Sequence, residues 1–121
     1  MIPLFILSLI TLGTPLLVPV AEAEAAKDLR IAETVLLYQR SNGGWPANYN
    51  RQEQLSPQQR AAIRGDKDKT DTMIDNGATH QEIRLLADAY RKTQDKRFRN
   101  AALRGITYLL KGQYQNGGWP Q

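Results

Sequence analysis

The chain has 121 residues, with 16 Lys and Arg against 12 Asp and Glu and a formal net charge of +4. This length allows one domain at most. Because the chain has no cysteine and a single histidine, disulfides, thiol chemistry and zinc sites built on Cys or His clusters are excluded. Any metal site must use oxygen ligands, which favour calcium or magnesium.

The N-terminal segment predicts a secretion signal. Residues 2–20 are almost entirely apolar, and an Ala-Glu-Ala-Glu-Ala run follows at residues 21–25, which is the small-residue pattern that signal peptidase cleaves. We therefore expect residues 1–25 to be a signal peptide cut after Ala23 or Ala25, and the protein to be secreted or periplasmic, without stable membrane association. A transmembrane anchor is the alternative, and the prolines of this segment disfavour it.

Residues 26–121 are expected to form the folded part. Removal of the signal leaves sixteen basic and ten acidic side chains, a net charge of +6. An exported protein this basic is predicted to meet an anionic polysaccharide or a membrane surface rather than nucleic acid. The alternative is that the excess charge only maintains solubility.

Two helices are predicted in the first half of this region. The first runs over Lys27–Arg40, where apolar residues recur near the helical period. The second begins at Ser56, with Pro57 at its first position and Gln59 completing a capping box, and ends near Gly65.

The segment between residues 66 and 71 alternates acidic with other residues and invites comparison with a calcium loop. The EF-hand pattern fails, because Asp71 stands where that loop needs glycine and Gly77 stands where it needs a bidentate glutamate. We interpret the segment as a solvated acidic loop, some of whose carboxylates could serve a site.

Two more helices are predicted after it. Thr79 and Glu82 predict a capping box at the start of one helix, and the other runs over Lys96–Gln113. Apolar positions at helical spacing are expected to face the core; they are Ile83, Leu86, Ala87 and Tyr90 on the first, and Phe98, Ala102, Ile106 and Leu109 on the second. Small residues at 101, 102 and 105 are expected to allow close helix approach. Repeated helix pairs predict an all-α ring or solenoid.

One phrase occurs twice, as Asn-Gly-Gly-Trp-Pro at residues 42–46 and 116–120, with the tryptophans 74 residues apart. Glycines permit the positive φ of a chain reversal after a helix, and tryptophan supplies a large apolar area to bury. The phrase therefore predicts a structural turn. The alternative is a sugar-binding platform, and the two interpretations are compatible.

Chemistry is expected at Asp75-Asn76-Gly77, a turn that immediately precedes a helix N-terminus, where the helix dipole favours negative charge. The alternative is that these residues only form the turn. His80 and the arginines 84, 91 and 104 are further candidates, with first-turn and solvated positions as the simpler interpretation. From the residues alone the prediction is a secreted all-α domain that binds an acidic polymer.

Four segments, residues 42–50, 72–84, 104–110 and 115–121, resemble in order and spacing the N-terminal section of polysaccharide lyase family 10, the pectate lyases. The resemblance implies a partial (α/α) toroid built of helical hairpins with Asn-Gly-Gly-Trp-Pro turns, with residues 26–121 as the N-terminal part of a longer catalytic domain. It also implies a monomer that cleaves polygalacturonate by Ca²⁺-dependent anti β-elimination, releasing unsaturated oligogalacturonides.

The resemblance also implies roles for particular residues. Asp75 is expected to bind Ca²⁺ in the region where the substrate lies, and Asn76 and Thr79 are expected to support the same turn. Residues expected to border the substrate groove are Trp45, Asn48 and Trp119. The family uses an arginine as the base, but no arginine here matches that part of its pattern, so the catalytic residue is unknown. A non-catalytic module for acidic polysaccharides and a purely structural helical repeat remain as alternatives.

Overall fold

A computed structural model describes residues 19–74, 77–113 and 118. Their regular structure consists of four helices, which are α1 (Val20–Tyr38), α2 (Pro57–Gly65), α3 (His80–Thr93) and α4 (Lys96–Gly112). The described ranges contain no strand, only an isolated antiparallel bridge between Pro46 and Thr72. The all-α prediction is confirmed. None of the helices in these ranges is long and apolar enough to span a membrane.

Helix α2 forms as predicted. The Ser56 hydroxyl accepts from the Gln59 backbone N–H at 3.1 Å, and the Gln59 side chain accepts from the Ser56 N–H at 2.8 Å. Pro57 occupies the first helical position, where its missing N–H costs nothing. The capping box therefore sets the start of this helix.

Helix α1 differs from its predicted bounds. It begins at Val20 rather than Lys27 and ends at Tyr38, two residues before Arg40. Residues 19–30 are exposed, and they include both predicted cleavage positions. The buried part of α1 lies further along, at Ala32, Thr34 and Val35.

Helix α3 begins where the sequence predicts, but the predicted capping box is wrong. Thr79 is the N-cap with a positive φ of 72° and no side-chain cap hydrogen bond. Its hydroxyl is engaged by the backbone of Trp45 and Met73 instead. Glu82 turns into the protein and is 1% exposed, so neither partner is available for the cap.

Helices α3 and α4 form a hairpin. Gln94 ends α3 in the left-handed conformation with φ 60°, and Asp95 caps α4 by accepting from the Arg97 N–H at 3.0 Å. The core lies between this hairpin, α1 and the first Asn-Gly-Gly-Trp-Pro turn. Its buried apolar members are Ala32, Val35, Trp45, Leu86, Phe98, Ala101 and Ala102.

Two parts of the predicted apolar stripes do not face the core. Ala87 is exposed on α3. On α4, Ile106 is 41% exposed and Leu109 is half-buried, whereas Phe98, Ala101, Ala102 and Gly105 are buried. The small residues Ala101, Ala102 and Gly105 form the face of α4 that contacts its neighbours. This contact face is therefore rotated away from Ile106. Leu103, Ile106 and Leu110 thus form an apolar surface that the described residues leave open.

Gly105 lies at a close approach of α4 to α3 and to Trp45. A Cβ there would lie 2.7 Å from Ile83 Cγ1 and 2.9 Å from the Trp45 ring. We expect Gly105→Ala to destabilise the fold by about 1–2 kcal/mol, because the overlap outweighs the helix propensity gained. Urea unfolding followed by circular dichroism measures this change. Gly65→Ala is the matched control, since nothing lies within 4 Å of its Cβ position. Equal effects of the two substitutions would contradict the packing argument.

Candidate functional site

The first Asn-Gly-Gly-Trp-Pro phrase forms a tight turn after α1. The Gly43 N–H donates to the Arg40 carbonyl at 2.9 Å, and the Arg40 N–H donates to the Gly44 carbonyl at 2.9 Å. Gly43 has φ 95°, and a Cβ at this position would lie 2.5 Å from the Arg104 carbonyl oxygen. Both the backbone angle and the contact therefore require glycine.

Trp45 is folded under this turn, as the structural interpretation predicts. It is 0% exposed, and its indole Nε1 donates to the Val35 carbonyl at 2.7 Å. A fully buried ring offers no face on which a sugar could stack. We therefore revise the role of Trp45 from a groove residue to a core residue.

The turn is fastened to the loop that precedes α3. The Met73 N–H donates to the Trp45 carbonyl at 3.0 Å. The Thr79 hydroxyl accepts from the Trp45 N–H at 3.2 Å and donates to the Met73 carbonyl at 2.9 Å. We call this arrangement of residues 40–46 with residues 71–74 and 77–79 the turn–loop clamp. It fixes the loop at Met73 and again at Thr79.

A second set of contacts holds the start of the same loop. Asn42 donates from Nδ2 to the Thr72 hydroxyl at 2.8 Å. Arg40 binds Asp71 through two bonds, Nε to Oδ1 at 2.9 Å and Nη2 to Oδ2 at 3.0 Å. These bonds from the Arg40 guanidinium hold the pKa of Asp71 below its usual range. The acidic loop is thus tied to the turn at Asp71, not merely solvated.

The Arg40–Asp71 pair predicts a pH dependence of stability. Because the pKa of Asp71 is depressed in the folded chain, its contribution is complete above the unfolded value of about 3.9 and is lost as the pH falls through the folded value. We expect Asp71→Asn to lower stability by about 1–2 kcal/mol at neutral pH, since it leaves Arg40 buried without its counter-charge. Thermal melts against pH measure this difference.

The difference between Asp71→Asn and wild type is expected to begin to shrink below about pH 4, where Asp71 of the unfolded chain takes up a proton, and to vanish only below the lower pKa of the folded chain. Asp68→Asn is the control, because Asp68 is exposed and accepts only from the Ser41 hydroxyl at 2.7 Å among the bonds described. A deficit that stayed constant into strong acid would contradict an electrostatic role for Asp71.

The predicted site residues fall into three groups. Thr79 is buried and supports the loop through the clamp, while Asn48 is exposed. Asp75, Asn76 and Trp119 lie outside the described residues. The clamp therefore holds the chain on both sides of Asp75 and Asn76.

Sequence reasoning missed a buried carboxylate beside the clamp. Glu82 accepts from the Tyr49 hydroxyl at 2.5 Å and from Arg51 Nε and Nη2, each at 2.6 Å. Burial and the nearby Glu82 charge raise the pKa of Tyr49, and the hydrogen bonds to Glu82 raise the pKa of Arg51. Tyr49 also stacks on Tyr38 with ring centroids 4.2 Å apart. This cluster anchors the segment after the turn onto the first turn of α3.

The other sequence candidates are scattered. His80 and Arg84 are exposed on α3. Arg91 is exposed and pairs with Asp88 on the same helix. This agrees with the interpretation of Arg91 as a solvated surface residue. Arg104 donates from Nη2 to Gln39 Oε1 at 2.9 Å. Among the bonds described, Arg91 and Arg104 therefore have separate partners on different elements.

Calcium finds no complete ligand set in the described ranges. No group of three or more Asp, Glu, His or Cys side chains there could hold a metal ion. Asp71 and Glu82 are each engaged by an arginine. The residues in these ranges therefore do not make a calcium site by themselves.

The helices and the clamp define a class of protein, an all-α domain of helical hairpins that forms one arc of an (α/α) toroid. The family model described as pectic acid lyase matches residues 39–121. This match covers more than half of the chain, and the chain belongs to the pectic acid lyase family. No curated protein sequence matches it significantly.

Solved structures give the same assignment. A family 10 polysaccharide lyase from Cellvibrio cellulosa is 30% identical, with a TM-score of 0.56 over 75% of this chain. A single-residue variant of a family 10 polysaccharide lyase from the same organism, in complex with trigalacturonic acid, is 28% identical at the same TM-score and coverage. In both cases the match covers 26% of the other structure, so the chain spans about a quarter of these relatives.

Proposed function

We propose that the chain is the N-terminal part of a pectate lyase catalytic domain that cleaves polygalacturonate by anti β-elimination. The observation that carries the proposal is the family match over residues 39–121, which contains the whole turn–loop clamp. The complex of a similar lyase with trigalacturonic acid supports polygalacturonate as the polymer. The basic character of the chain agrees with an acidic ligand.

The chemistry needs the negative charge of the uronate to be neutralised. The C5 proton of the sugar is a poor acid while its carboxylate is charged, and elimination places more charge on that carboxylate. A base removes the C5 proton, a C4–C5 double bond forms, and the C4–O bond breaks as the leaving sugar oxygen takes up a proton. Preorganised positive groups around the carboxylate lower this barrier.

In this proposal Asp75 contributes by holding a cation against the uronate, with Asn76 and Thr79 supporting its turn. Thr79 does so through its hydroxyl bonds to Trp45 and Met73. Calcium bound there would supply positive charge to the carboxylate. Since the described residues lack a full ligand set, we derive no step through the metal, and the base stays unassigned.

Residues 1–25 are proposed to be a cleaved signal, and the protein to act as a secreted or periplasmic monomer. Asn48 is retained as a residue at the groove border, since its side chain is exposed. Trp119 is retained with it as a proposal.

Polygalacturonate incubated with the longer polypeptide that contains this chain tests the function. We expect unsaturated uronide product, detected by its ultraviolet absorbance, in the presence of calcium and its loss on adding chelator. Absence of product under both conditions would overturn the lyase proposal.

A second candidate is a non-catalytic module for acidic polysaccharides. It is favoured by the excess of basic side chains, which suits an acidic polymer whether or not the polymer is cleaved. Retention of this chain on immobilised polygalacturonate, with no product from the longer polypeptide, would support this candidate instead.

A further inference from the structure

A cationic pocket lies on the side of the turn that faces α4. It has a volume of about 420 Å³ and is bounded by the end of α1, by Lys67 and by one side of α4. The described lining includes four cations, Arg40, Lys67, Arg97 and Arg104, and no acidic side chain. We call it the Arg40 pocket.

Arg40 provides an unused donor. Its Nε and Nη2 atoms are bonded to Asp71, while Nη1 is buried and no described residue accepts from it. The side chain is only 6% exposed. Buried polar atoms almost always have a hydrogen-bond partner, so an unsatisfied guanidinium nitrogen on a residue that lines the pocket indicates a missing acceptor.

The neighbouring cations are poorly neutralised. Lys67 donates from Nζ to the Leu37 and Gln39 carbonyls at 2.5 and 2.7 Å, and no described carboxylate pairs with Lys67 or Arg104. Burial and the charges of Arg40 and Arg104 lower the pKa of Lys67. Arg97 is the exception, because its guanidinium pairs with Glu33 at 2.6 Å and with Asp95 at 2.8 Å. The excess positive charge of the pocket therefore comes from Lys67 and Arg104.

We propose that the Arg40 pocket binds a carboxylate, with Arg40 Nη1 as the buried donor and Arg104 as the cation at the entrance. Entry of the carboxylate moves the exposed Arg104 side chain away from Gln39, to whose Oε1 atom Arg104 Nη2 donates at 2.9 Å. A planar carboxylate matches guanidinium donors, and charge-assisted bonds of this type are the strong ones. The proposal uses none of the residues assigned to lyase chemistry and does not depend on that activity.

The carboxylate could come from an acidic sugar or from a free organic acid, and a titration separates the two. The probes are sodium galacturonate, sodium acetate and neutral galactose, added to the isotopically labelled chain and followed by nuclear magnetic resonance. Saturable shifts of the Arg40 side-chain Nε–H and of the backbone amides of Lys67 and Arg104 are expected with a carboxylate. Saturation with galacturonate alone assigns an acidic sugar, and equal saturation with acetate assigns a carboxylate regardless of its carrier.

Two variants of α4 test the assignment to the pocket. Arg104→Gln is expected to weaken carboxylate binding about tenfold or more, the loss typical of a charged hydrogen bond. Arg99→Gln removes the same charge from an exposed position outside the pocket and is expected to leave the affinity within about twofold. Arg104→Lys keeps the charge and is expected to retain part of the affinity, and the amide spectrum reports whether each variant is folded.

Three results would overturn the proposal. One is the absence of saturable shifts at Arg40 with both carboxylates. Another is binding of neutral galactose with the same affinity as galacturonate, which would show that the carboxylate charge does not contribute to binding. The third is equal weakening by Arg104→Gln and Arg99→Gln, which would show only a general attraction of anions to a basic chain.

Discussion

Replacing Trp45 with alanine is expected to lower the free energy of unfolding by about 3–5 kcal/mol, the usual cost of removing a buried large aromatic side chain. The ring is fully buried, its edge lies against Gly105, and its Nε1 holds the Val35 carbonyl at 2.7 Å. The substitution therefore opens a cavity and leaves a buried acceptor unsatisfied. Urea unfolding followed by circular dichroism measures the loss.

Two further variants make the Trp45 result specific. Trp45→Phe keeps an apolar ring and loses the N–H donor, so an intermediate loss is expected. Asn48→Ala changes an exposed side chain three residues away and is expected to stay within about 0.5 kcal/mol of wild type. If Trp45→Ala were as stable as Asn48→Ala, the ring would not be part of the core.

Replacing Asp75 with alanine in the longer polypeptide is expected to lower kcat by about 10²–10³-fold, the range found when one group that stabilises transition-state charge is removed. The reason is that the proposed role of Asp75 is to hold a cation against the uronate. Initial rates on polygalacturonate at saturating calcium measure this loss. Asp68→Ala is the matched control, because Asp68 is an exposed carboxylate of the same connecting segment.

The competing explanation for Asp75 makes a different prediction. If the residue only shapes the turn before α3, Asp75→Ala would reduce stability and leave kcat of the folded fraction unchanged. Unfolding curves measured beside the rates separate these outcomes. An unchanged kcat would remove Asp75 from the site.

Local signals in the sequence predicted the local parts of the fold. Ser56, Pro57 and Gln59 define a helix start with contacts no more than three residues apart, and all three behave as expected. The turn at Gly43 was also predictable, since a left-handed backbone after a helix favours glycine. Such features depend on neighbouring residues, which a single sequence shows.

The failures come from contacts across long stretches of chain. Thr79 and Glu82 have the spacing of a capping box, but Trp45, 34 residues earlier, takes the hydroxyl. Arg51, 31 residues earlier, takes the carboxylate. Tertiary partners thus override a local preference, and no periodicity reports which distant residue will be the partner.

The same reason explains why the clamp was missed although its residues were singled out. The sequence drew attention to the turn at 42–46 and to the loop at 71–79 separately. Their connection depends on bonds such as Met73 to Trp45 and Arg40 to Asp71. Arg40 carried no local signal at all, since its position after α1 resembles that of any solvated arginine.

The dependence of cleavage on substrate charge tests the central claim most directly, namely that the loop held by the clamp serves to neutralise a uronate. The measurement is the rate of unsaturated product formation by the longer polypeptide, with calcium, on fully de-esterified polygalacturonate and on highly methyl-esterified pectin. We predict that the charged polymer is cleaved about tenfold faster or more, because only a free carboxylate gains from a bound cation. Equal rates on the two polymers would contradict the account.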